Sequence, residues 1–111
     1  MVQSQGPGRR LRIYLSASDQ WRGGPLYAAI VQEARKQGIA GATVVRGIMG
    51  YGAHHAVHEA HLLQLTNNLP VVVEIVDTVA KVQGFLPVLD AMIQEGLVTL
   101  SEVELITYGK T

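Results

Sequence analysis

The 111-residue chain has no cysteine, which excludes disulfides, thiolate metal sites and thiol catalysis. It has no excess charge of either sign. Nine acidic side chains balance nine basic ones, so nothing favours electrostatic capture of nucleic acid or of a membrane surface. No apolar run approaches the ~20 residues of a membrane span, and direct membrane insertion is not expected. Charge itself is scarce: 16% of residues are charged and 48% are hydrophobic, a low charge density for so small a domain. Some apolar surface is therefore expected to be covered by further subunits. The lack of cysteine and of a hydrophobic signal core fits a cytoplasmic protein. No nucleophile–base pair, paired-carboxylate spacing or Ser-His-Asp order stands out, so no catalytic residue is assigned and an enzyme is not expected.

Glycine, by contrast, is abundant. Five of the twelve glycines fall between Gly38 and Gly52, where a helix ends, a strand follows and a loop opens. Residues 1–10 are polar and read as a disordered lead to a single domain over 11–111. Leu11, Ile13 and Leu15 alternate with Arg12, Tyr14 and Ser16, the pattern of a half-buried strand over 11–16. Trp21 lies in the loop that follows, where it packs on the core rim or covers a ligand or a neighbouring subunit. Pro25 suits the first turn of a helix whose apolar face is Leu26, Ala29, Ile30 and Ala34, and Gly38 suits its left-handed cap.

A second strand spans 42–49. Residues 50–68 form a long loop with no single helix or strand reading. A third strand over 69–77 is a nearly continuous valine and isoleucine run, expected to be central, with Pro70 tolerable only at its start. A second helix over 78–95 has the stripe Val79, Val82, Leu86, Leu89 and Ile93, is capped by Asp77 or Thr78 and ends at Gly96. After a turn at 99–102, a fourth strand covers 103–108. The order βαββαβ is α+β and ferredoxin-like: a four-stranded antiparallel sheet with both helices on one face.

The runs Gly41-Ala42-Thr43-Val44-Val45-Arg46-Gly47-Ile48-Met49-Gly50-Tyr51-Gly52 and Leu69-Pro70-Val71-Val72-Val73-Glu74-Ile75-Val76-Asp77 resemble the PII-like domain-of-unknown-function family. Pro25-Leu26-Tyr27 and Gly96-Leu97-Val98-Thr99 do so as well, and the likeness spans about 11–108. It implies a homotrimer that binds an adenine nucleotide (AMP, ADP, ATP or cyclic AMP) in clefts between subunits. Signalling would pass through the loop after strand two, the T-loop, to a membrane transporter or an enzyme. By resemblance Thr43, Gly50, Tyr51, Gly52, Glu74 and Val76 border the nucleotide. The PII residues for a triphosphate are not present: Ala53-His54-His55-Ala56 stands at the loop mouth, and Glu95-Gly96-Leu97-Val98-Thr99 replaces the phosphate loop.

The residues themselves leave alternatives open. Glu74 within a valine run needs a partner if buried, either a ligand group or loop backbone, or else it is an edge-facing residue in water or in a subunit salt bridge. Arg12 and Arg46 are strand arginines whose forks suit phosphate, or surface residues. Gly47, Gly50 and Gly52 permit a backbone anion nest or a simple bend. Tyr51 stacks on a base or anchors the loop. His54, His58 and His61 would share a face if helical and could then bind zinc, nickel or copper, the alternative being a CutA-like metal-binding or metal-tolerance trimer. The histidines read first as part of a polar loop, and a pH-sensitive loop is a third reading.

Overall fold

A computed structural model describes residues 2–51 and 69–109. Its elements are β1 (Val2–Ser16), β2 (Gln20–Trp21), β3 (Gly24–Pro25), α1 (Leu26–Lys36), β4 (Gly41–Arg46), β5 (Pro70–Thr78), α2 (Val79–Met92) and β6 (Leu97–Tyr108). The main sheet has the order β4-β5-β1-β6, with antiparallel neighbours throughout. β2 and β3 form a separate two-stranded ribbon. With both helices packed on one face of the main sheet, the architecture is the expected ferredoxin-like one.

Alternation builds the core. Leu11, Ile13 and Leu15 of β1 lie opposite Ile75, Val73 and Val71 of β5, and all six are buried. Leu26, Ile30 and Ala34 of α1 complete one side of this layer. Trp21 packs at its rim, with the Arg22 guanidinium 4.9 Å from its ring centroid. α1 ends as its sequence indicates: Gly38 takes φ 77°, and Ile39 N–H donates back to Ala34 O at 3.0 Å.

Four boundaries differ from the sequence reading. Residues 2–10 are not a disordered lead but the first part of β1. Their backbone is paired with β6, from Val2 opposite Tyr108 to Arg10 opposite Ser101. The fourth strand begins at Leu97 rather than 103, so the expected turn at 99–102 is extended chain. Thr99 and Glu102 are paired with Arg12 and Arg9. The second strand stops at Arg46, opposite Val71, and Gly47 N–H makes one further bond to Pro70 O at the start of β5. α2 ends at Met92, and its buried row is Val82, Phe85, Leu89 and Met92. Leu86 and Ile93 of the expected stripe flank that row, partly buried.

Asp77 ties three elements together. Buried at the end of β5, it accepts from Ala40 N–H at 2.8 Å and from Thr78 N–H at 2.6 Å. Thr78 in turn caps α2 by accepting from Lys81 N–H. Within α2, Gly84 is exposed, and a Cβ added there would meet nothing within 4 Å. Gly84→Ala is therefore expected to stabilise the protein by about 0.5–1 kcal/mol, the helix-interior difference between the two residues. A urea titration reads this directly, and an unchanged or lowered midpoint would contradict it.

Candidate functional site

The face of the sheet turned away from the helices is ordered by the strand register. Residues directly opposite one another share a face, so three rows cross the sheet. The middle row is Thr43, Glu74, Arg12 and Thr99. Beside it on one side is Val45, Val72, Tyr14 and Leu97, and on the other Gly41, Val76, Arg10 and Ser101. The row through Val45 and Leu97 is apolar and open to solvent, these two residues being 56% and 61% exposed.

Glu74 finds its partner in the polar row. Arg12 Nε donates to Glu74 Oε2 at 2.9 Å, with both side chains partly exposed. The hydrogen bond to Glu74 raises the pKa of the Arg12 guanidinium above its already high usual value, against a smaller opposing effect of desolvation. The pair places a fixed carboxylate, with one oxygen engaged, beside the Thr43 hydroxyl. A carboxylate next to a hydroxyl can accept from and donate to a sugar or a base edge.

The sequence-derived candidates do not all meet. Thr43, Glu74 and Val76 lie together on the open face. Arg46 lies opposite buried Val71, so strand alternation turns it to the helix side, away from them. Gly50 passes close to Pro70: a Cβ there would come within 3.2 Å of Pro70 Cγ. Gly47 is tighter still, at 2.8 Å from the same atom. These glycines allow the chain to cross Pro70 as it leaves the sheet. Tyr51 is 72% exposed. Gly52, His54, His58 and His61 lie outside the described residues. Among the described residues no group of three or more histidine, aspartate or glutamate side chains could hold a metal ion, and the metal-binding alternative gains no support. No helix among them is long and apolar enough to cross a membrane.

A cleft of about 890 Å³ lies at one end of this face, where β1 and β6 run on past β5 as a two-stranded ribbon. Gly6, Gly41, Val76, Thr78, Leu105 and Tyr108 are among its walls. Among the described candidate residues only Val76 reaches it, so the cleft extends the Thr43–Glu74 patch and does not contain it. Sequence reasoning noted Arg12 as a strand arginine but missed its bond to Glu74, because the β1–β5 register could not be read from either strand alone. It missed Arg10 entirely.

A family model described as DUF190, Uncharacterized ACR, COG1993, matches residues 8–105. The UPF0166 protein of Aquifex aeolicus (strain VF5) is 41% identical over 96 residues, covering 86% of this chain and 90% of its own length. UPF0166 protein MJ1524 of Methanocaldococcus jannaschii is 38% identical over 93 residues, covering 83% of this chain and 85% of its own. Among solved structures, CPII of Thiomonas intermedia K12, a nitrogen regulatory PII-like protein bound to ADP and bicarbonate, superposes with a TM-score of 0.60. That match covers 92% of this chain and 91% of the other at 18% identity. With a family match that takes in both helices and most of every main strand, the chain belongs to the DUF190 family, and it shares the fold of CPII.

Proposed function

We propose that this is a PII-like regulatory protein, not an enzyme, whose open sheet face binds an adenine nucleotide where subunits of a homotrimer meet. The observation that carries the reading is the Thr43–Glu74–Arg12 row, a preformed polar strip beside the apolar row Val45, Val72, Tyr14 and Leu97. CPII, described as bound to ADP and bicarbonate, lends support through its shared fold. The exposed row Val45, Val72, Tyr14 and Leu97 supplies apolar surface for subunit packing. The bound nucleotide would act on a cytoplasmic enzyme or a membrane transporter through the 50–68 segment. Such a signal requires different nucleotide affinities in the segment's partner-bound and partner-free states.

Calorimetric titration with AMP, ADP, ATP and cyclic AMP tests the reading, alongside sedimentation analysis of the mass. Saturable binding of at least one nucleotide by a trimer is expected. Glu74→Gln should weaken it roughly tenfold, the loss of one hydrogen bond to a charged group. Four flat titrations would remove the nucleotide from the reading.

A further inference from the structure

On the open face, β1 contributes Arg10 and Arg12, β5 contributes Glu74, and the facing residues of β4 and β6 are uncharged. Arg12 and Glu74 neutralise one another. Arg10 is left over. Its Nε is, among the described residues, the buried side-chain polar atom with no hydrogen-bond partner. The neighbouring acids do not reach it: Asp77 and Glu102 lie opposite Arg9, in a register that turns them to the helix side of the sheet. A buried donor on a guanidinium is costly to leave unpaired, and its fork matches an oxyanion.

Self-association does not solve the problem. A second copy presenting the same face brings another surplus arginine and no surplus acid, so positive charge accumulates as copies meet. The compensating charge has to come from elsewhere. Arg10 stands directly opposite Val76, which lines the large cleft, and one row from Glu74.

We infer that Arg10 is the oxyanion contact of this face and receives a phosphate group or a comparable small oxyanion. The inference deepens the nucleotide reading, in which the anion is the nucleotide's own phosphate, but the site is equally complete with a free anion. It also supplies a phosphate partner in a chain without the PII residues that hold a triphosphate.

The test is titration of the full chain with ADP, adenosine, inorganic phosphate and bicarbonate, using wild type, Arg10→Gln and Arg10→Lys, with mass measured by sedimentation. Arg10→Gln is expected to weaken ADP about tenfold and to leave adenosine unchanged. Arg10→Lys, which keeps the charge and loses the fork, should fall between. If phosphate or bicarbonate binds in an Arg10-dependent way and no nucleotide does, the anion site stands and the nucleotide reading falls. If ADP binds wild type and Arg10→Gln equally, the nucleotide reading stands and the anion site is overturned. It is overturned too if Arg10→Gln changes only the oligomeric mass, which would assign Arg10 to a carboxylate on another face of a second copy. Failure of wild type to bind any of the four ligands overturns it. So does equal loss of adenosine and ADP in both variants, which would make Arg10 a structural residue.

Discussion

Phe85→Ala is expected to destabilise the domain by about 3–5 kcal/mol, the range for truncating a fully buried aromatic side chain. Phe85 is the only phenylalanine and is 1% exposed, among the largest of the fully buried side chains. It stands in the α2 row Val82, Phe85, Leu89 and Met92, which packs on the β1–β5 layer. The void left by its ring would open among the close-packed apolar side chains of the core, which refill such a space only in part. A domain of this size has a total stability on the order of 5–15 kcal/mol. The variant should therefore lose about a fifth or more of it and unfold at a markedly lower urea concentration. A loss below about 1 kcal/mol would mean that Phe85 is not at the centre of the core.

Gly8→Val is expected to cost about 1–3 kcal/mol through overpacking, with damage concentrated at one end of the sheet. A Cβ on Gly8 would sit 2.5 Å from Leu105 Cγ and 2.8 Å from Asp77 O. The leucine can rotate away, but the carbonyl cannot, because the Asp77 side chain is fixed by Ala40 and Thr78. Gly8 is therefore the point at which the β1–β6 ribbon leans against the end of β5 and the start of α2. Hydrogen exchange should show faster exchange in Val2–Pro7 and Val103–Tyr108 than in the central strands. Uniform protection with an unchanged melting midpoint would contradict the assignment.

These two residues mark where the sequence could and could not be read. The helix over Leu26–Lys36 was legible because the face Leu26, Ile30 and Ala34 and the cap at Gly38 agree on one answer, although Pro25 stands just before the helix as an extended N-cap and not in its first turn. Phe85 was missed because α2 is apolar on more than one side. Val79, Val82, Leu86, Leu89 and Ile93 make a regular row, and so do Val82, Phe85, Leu89 and Met92. Only the position of the sheet decides between them. The first half of β1 was missed for the opposite reason. Residues 2–10 hold glycine, proline and polar side chains with no strand pattern of their own, and pairing with β6 makes them a strand.

The site was legible to the extent that it follows from alternation. Thr43 and Glu74 face one another once β4 and β5 pair. Thr43 and Arg46 are three residues apart on one strand and so must point to opposite faces. Grouping them had a visible flaw from the start. The Arg12–Glu74 bond and the isolation of Arg10 depend on a register between distant strands, which no local pattern encodes.

That same register has a kinetic consequence. β1 is a central strand, yet both its neighbours come from the second half of the chain: Leu11 meets Ile75 in β5 and Leu100 in β6. The most apolar part of the first strand therefore has no sheet partner until the chain has closed two long loops. Closing them precedes the stabilising contacts and slows the search for the native state. During synthesis, Leu11, Ile13 and Leu15 would wait in the open, and the domain should complete its sheet only after β6 has left the ribosome.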